Sequence, residues 1–93
     1  MLSFEWDRQK ALNNEKKHGI TFDEASTVFA DPLSLTIDDP LHSEIEDRFI
    51  IIGVSYKNRV LIAIHTERGD KIRIISARKA TKKERSYYES HAE

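Results

Sequence analysis

Three stretches rich in isoleucine and valine, Arg48–Tyr56, Val60–Glu67 and Lys71–Arg78, follow one another with only a few residues between them. Runs of this composition and length read as strands, and connections this short leave no room for a crossover helix. Neighbouring strands must then run antiparallel, so the C-terminal half is a meander of three. Tyr56-Lys57-Asn58-Arg59 makes the first turn, without the favoured Asn-Gly pair, and Arg68-Gly69-Asp70 makes the second. Upstream, Leu33, Leu35 and Ile37 alternate with Ser34 and Thr36, adding a half-buried strand that Asp38-Asp39-Pro40 closes. Residues 41–47 form an acidic loop.

The N-terminal third reads as helical. Phe4-Glu5-Trp6 is a short extended start, Asp7 an N-cap, and a largely polar helix runs to about His18, where Gly19 stops it. Thr21-Phe22-Asp23-Glu24 is a capping-box pattern opening a second helix. Phe22, Ala25, Val28 and Phe29 give that helix a core-facing stripe, and Asp31-Pro32 ends it. Thr81-Lys82-Lys83-Glu84 repeats the capping box and opens a C-terminal helix carrying Tyr87 and Tyr88. The order is β-α-α-β-β-β-β-α: an α+β fold in a single domain, residues 1–93, with a small antiparallel sheet, two N-terminal helices and one C-terminal helix.

No cysteine is present, which excludes disulfides, thiolate metal sites and a thiol nucleophile. The first residues lack a basic start followed by an apolar stretch, and Phe49–Ile52 and Val60–Ile64 are too short to cross a bilayer. The expectation is a cytoplasmic protein without a membrane partner. Asp38, Asp39, His42, Glu44, Glu46 and Asp47 match no EF-hand or zinc spacing, so no metal or other cofactor is expected.

The net charge of −1 conceals a polarised chain. Residues 57–85 hold ten basic residues against three acidic ones, whereas residues 1–56 hold five against eleven. Clustered Lys and Arg displace counterions from phosphates, so the C-terminal half favours a polyanion. With a three-residue turn at Arg68-Gly69-Asp70, His65 opposes Arg73 and Glu67 opposes Lys71, a compact polar cluster on one side of the sheet. A two-residue turn sets Thr66 against Arg73 and dissolves it.

Such a cluster suits RNA cleavage without metal. His65 or Glu67 takes the proton of a ribose 2′-hydroxyl, the freed oxygen attacks the adjacent phosphorus, and an acid protonates the departing 5′-oxygen. Arg73 and Arg78 meet the charge that grows on the phosphate oxygens. Tyr87 or Tyr88 stacks a base, and Lys82 and Lys83 add cations in a helix's first turn, where the dipole disfavours them. The alternative from another class is a non-catalytic module, whose basic half binds nucleic acid or docks on a partner.

Phe4-Glu5-Trp6-Asp7, Lys17-His18-Gly19-Ile20-Thr21-Phe22-Asp23-Glu24-Ala25, Val28-Phe29-Ala30-Asp31-Pro32 and Arg48–Gly53 follow one another in an order that resembles the BrnT toxins. Thr66-Glu67-Arg68, Arg73-Ile74-Ile75-Ser76-Ala77-Arg78 and Glu84-Arg85-Ser86-Tyr87-Tyr88 extend the likeness over nearly the whole chain. The resemblance implies a RelE-like fold and a ribonuclease toxin of a type II toxin–antitoxin pair, inhibiting translation. It implies a BrnA-like ribbon-helix-helix antitoxin, through which the pair meets operator DNA and represses its own operon. Carried over by position, the catalytic candidates are Glu67, Arg68, Arg73 and Arg78, with His65 added by strand geometry. Lys71, Lys79, Lys82, Lys83, Tyr87 and Tyr88 are the RNA-binding candidates.

Overall fold

The computed structural model describes residues 2–39 and 47–91. Its elements in chain order are β1 (Ser3–Glu5), α1 (Arg8–His18), α2 (Phe22–Ser26), β2 (Leu35–Asp38), β3 (Arg48–Val54), β4 (Val60–Arg68), β5 (Lys71–Lys79) and α3 (Lys82–His91). The strands form one sheet in the order β1-β5-β4-β3-β2. The expected α+β class and element order are observed, and β2 to β5 pair antiparallel. The expectation of a wholly antiparallel sheet is corrected by β1, which runs parallel to β5. Two helices and three strands separate β1 from β5 in the chain, so no tight turn dictates their relative direction.

β1 pairs only with Lys71, Ile72 and Arg73 of β5. Beyond it the edge of β5 is completed by a side chain. The Asn14 amide of α1 accepts from the Ala77 N–H at 3.0 Å and donates to the Ala77 carbonyl at 2.8 Å. A second donation, to the Ile20 carbonyl at 3.0 Å, ties the end of α1 to the same strand. This explains a buried asparagine in an otherwise polar helix, since a buried amide needs its partners.

Gly19 ends α1 at φ 71°, a left-handed conformation that costs glycine little, and its N–H donates to the Glu15 carbonyl. The second helix is shorter than expected. α2 ends at Ser26, and Thr27–Ala30 winds as a 3₁₀ turn. The Ser26 and Thr27 hydroxyls bond back to the Asp23 and Glu24 carbonyls at 2.7 Å, the local competition that short polar side chains bring to a helix. Only half of the first capping box forms. Thr21 accepts from the Glu24 N–H at 3.0 Å, but the Glu24 carboxylate turns inward to Ser55 and Arg59. The second box forms in full, Thr81 and Glu84 bonding each other's backbone N–H.

The two sides of the sheet differ. One is sealed: Ile51, Leu61, Ala63, Ile74 and Ala77 pack beneath Ile20, Phe22, Ala25 and Val28, all buried. Gly53 permits this closeness, because a Cβ there would lie 2.9 Å from Val28 Cγ1. The other side is covered only in part, where Tyr88 of α3 packs on Ile52 and Ile62.

Candidate functional site

The uncovered part of the second side is a groove of about 550 Å³. Its floor is aliphatic, with Leu35, Ile37, Ile50, Ile52, Ile62 and Ile64 from β2, β3 and β4. Its polar rim comes from the end of α1 (His18), from β5 (Ser76, Arg78) and from α3 (Lys83, Glu84, Tyr87). Alternation explains the floor, because Ile50 faces Ile64 and Ile52 faces Ile62 across the β3–β4 ladder.

A bulge in β5 decides which arginines reach this side. Ile64 pairs with Ser76 but His65 with Ile74, leaving Ile75 as the extra residue. Five positions apart in a regular strand, Arg73 and Arg78 would face opposite ways; the extra residue puts them on one side. They stand roughly 15 Å apart along the strand, too far to grip one phosphate.

The expected polar cluster does not form. β4 and β5 are joined by two residues, Gly69 and Asp70, so Thr66 opposes Arg73, Glu67 opposes Ile72, and Arg68 opposes Lys71. His65 therefore faces the sealed side, opposite Ile74, away from Arg73. It is 4% exposed, with its ring 4.8 Å from that of Phe29 and 5.7 Å from that of Phe49. Burial pulls its pKa down to about 4, a weak backbone contact with Ala63 opposing the shift. Among the described residues its Nδ1 has no hydrogen-bond partner. A neutral imidazole under two phenyl rings is out of reach of a ribose, which overturns His65 as the proton acceptor.

The other expected residues divide between engaged and open positions. Arg73 donates to Glu5 at 3.0 Å, across the β1–β5 pairing. Arg78 forks onto Glu84 with bonds of 2.7 and 2.9 Å, and its Nη1 also reaches the Lys79 carbonyl. This pairing with Arg78, together with the bond from the Thr81 N–H, outweighs burial and holds the Glu84 carboxyl down at about 2. Glu84 is thus an anion at neutral pH and serves to aim the guanidinium, whose Nε–H and outer Nη2–H edge remains open. Tyr88, expected to stack a base, is buried, and its hydroxyl donates to Asp31 at 2.5 Å. Burial and that carboxylate push its pKa up to about 12.

Tyr87, 50% exposed, stays on the groove rim beside Lys83, its ring 4.2 Å from His91. Lys79 lies in a separate recess with Arg59, Arg85 and Tyr88. Glu67, Arg68, Lys71 and Lys82 are exposed. His42, Glu44 and Glu46 lie outside the described residues, as does most of the acidic loop. Among the described residues no three His, Asp or Glu side chains gather as metal ligands, and no helix is long and apolar enough to cross a membrane.

Sequence reasoning missed His18. At the last position of α1, before Gly19, it reads as a cation complementing the helix dipole. Only the contact of α1 with the edge of β5 shows that this position overlooks the groove.

The comparisons with known proteins agree with this architecture. A crystal structure of the Brucella abortus ribonuclease toxin BrnT matches with a TM-score of 0.65 at 21% identity, covering 88% of this chain and all of that one, a likeness of fold. The comparison with curated protein sequences found no match. The family model described as "Ribonuclease toxin, BrnT, of type II toxin-antitoxin system" matches residues 6–84, and on that span the chain belongs to the BrnT family of ribonuclease toxins.

Proposed function

We propose that this chain is a metal-independent endoribonuclease, the toxin of a type II pair, whose cleavage site is the rim of the sheet groove. The observation that carries this reading is the gathering of His18, Arg78, Lys83 and Tyr87 around one recess. His18 supplies the imidazole that takes the proton from the ribose 2′-hydroxyl. The freed oxygen attacks the adjacent phosphorus, the bond to the 5′-oxygen breaks, and that oxygen leaves with a proton from water. Arg78, aimed by Glu84, offers its open edge to the non-bridging phosphate oxygens as charge develops, which is where fixed donors contribute most. Lys83 adds a second cation, and Tyr87 supports a base. Arg73, Arg68 and Lys71, at the hairpin end of the same side, guide the RNA backbone and do not take part in the bond-breaking step.

Cleavage of this kind inhibits translation until a ribbon-helix-helix antitoxin of the BrnA type binds the toxin, and the pair represses its own operon. The family assignment and the polyanion-favouring C-terminal half support this reading. The test incubates purified protein with RNA in EDTA, with and without a single 2′-deoxyribose at the scissile position. Cutting should persist in EDTA, fail at the deoxy position, and fall at least tenfold in His18→Ala. Equal cutting of the deoxy substrate would refute attack by the 2′-hydroxyl, and unchanged His18→Ala would remove His18 from the chemistry. Absence of any cleavage or growth arrest would leave the binding-module alternative.

A further inference from the structure

The groove's floor is unsuited to RNA. Six aliphatic side chains line it, Ile37 is 54% exposed, and no phosphate or sugar gains from contact with them. A sheet face normally packs against a second layer, and a contiguous apolar patch on a small protein marks a place where another chain sits. Here α3 supplies that layer over only part of the face, where Tyr88 meets Ile52 and Ile62. Among the described residues, nothing fills the space beside α3.

We infer that this groove is the docking site of the antitoxin, and that the docked segment is an amphipathic helix whose apolar stripe is flanked by acidic residues. The inference rests on the toxin reading above. The groove lies between the hairpin-end cations on one side of Ile64 and Ser76, and Arg78 with Lys83 on the other. Arg73 and Arg78 stand roughly 15 Å apart, a span of about ten helical residues at 1.5 Å each. Glu84 is already matched by Arg78, whereas Lys83 makes no ion pair among the described residues. An apolar stripe with acidic flanks complements both the floor and the rim, the pattern of helix-in-groove recognition. The occupant would cover Arg78, Lys83 and Tyr87, so binding the antitoxin and binding RNA exclude each other on this side.

The experiment titrates full-length protein with its purified cognate antitoxin by calorimetry. Ile37→Asp is the main variant: its side chain is half-exposed on an edge strand, so folding, checked by circular dichroism, should survive. Antitoxin affinity should fall at least tenfold in Ile37→Asp and about fivefold in Lys83→Glu, and stay within twofold in Leu12→Asp, an exposed apolar position on α1 outside the groove. Amide exchange on the unaltered protein should show protection gained along β2 and α3 in the complex. If the unaltered protein binds the antitoxin but Ile37→Asp binds as tightly and β2 gains no protection, the docking site is wrong while the toxin reading stands. If it binds no antitoxin at all, the reading beneath fails and the inference with it. Two further results would overturn it: a dimer of the toxin alone that Ile37→Asp abolishes with antitoxin affinity intact, or a loss confined to RNA binding.

Discussion

The same three strands present two unlike faces. On the sealed side, Ile51, Leu61, Ala63 and Ile74 lie beneath the helical layer, and even a histidine is enclosed between phenyl rings. On the open side, Ile50, Ile62 and Ile64 are equally apolar, yet no described residue covers them fully, and arginines stand at both ends. Residue type alone therefore does not separate core from site in this chain. The difference comes from the covering layer: α1, α2 and the 3₁₀ turn serve one side, while α3 reaches across only part of the other. The proposed site lies on one face and most of the buried core on the other, so each side can be perturbed separately.

The largest expected effect falls on the anchor of the helical layer. Glu24 is 1% exposed, and its carboxylate accepts from Ser55 at 2.7 Å and from both Arg59 Nε and Nη2. Burial pushes its pKa up, but the bonds from Arg59 and Ser55 together hold it below the ordinary carboxylate value. Removing one partner of a buried pair costs about 3–5 kcal/mol, and the part-exposed Arg59 places this case near the lower end. Glu24→Ala should lose about 3 kcal/mol in urea unfolding at pH 7. A loss below 1 kcal/mol would mean that the helical layer is held by its apolar contacts alone.

On the open side the corresponding change should spare the fold and lower activity. Arg78→Ala should reduce RNA cleavage by about a hundredfold, the scale seen when one donor to a developing oxyanion is removed. Lost pairing with Glu84 is a surface effect, since both side chains are at least a third exposed, and should cost at most about 1 kcal/mol. If stability fell sharply while cleavage held, Arg78 would belong to the architecture and the division between faces would fail.

Much of this division was legible in the residues, but unevenly. The meander, the two N-terminal helices and the buried stripe Phe22, Ala25, Val28 follow from period and turn chemistry, and the structure has all of them. Which face Arg73 and His65 occupy depended on one residue in the Gly69-Asp70 turn, and on a bulge at Ile75 that no pattern announces. A one-residue change of register exchanges the faces of a strand, so the polar cluster was the least determined part of the reading. The parallel docking of β1 and the approach of His18 to the groove are long-range events and leave no local trace. Glu24 shows the opposite case, where a good local motif was overridden by a part-exposed arginine from the β3–β4 turn.

Tyr88 links the two sides, and its removal tests whether α3 is a fixed layer. Its hydroxyl donates to Asp31, which also accepts from the N–H groups of Val54 and Leu33. Burial raises the Asp31 pKa, but these three bonds outweigh it and keep the carboxyl below its usual value. A hydrogen bond to a charged partner contributes about 1.5–3 kcal/mol, so Tyr88→Phe should destabilise the protein by about 2 kcal/mol. Amide exchange should quicken in α3 while α1 stays protected. Uniform quickening would show that both layers open together and that the faces are not independent.

The smallest expected effect belongs to His65 and separates an inert core histidine from a proton-handling one. In the unfolded chain an imidazole titrates near 6.5, whereas burial brings this one down to about 4. The unfolded state therefore binds a proton first as pH falls, and the native state loses stability from about pH 6.5 down to about 4, with no further loss from this group below that. Between pH 7 and 5.5 the linkage amounts to about 1 kcal/mol. The unfolding free energy measured in urea should fall by that amount over this range, and His65→Gln should flatten the dependence. Cleavage by His65→Gln, measured at equal folded fraction, should keep the pH profile of the unaltered protein. A profile displaced by this substitution would bring the imidazole back into the chemistry and open a path between the faces that the packing of Phe29 and Phe49 denies.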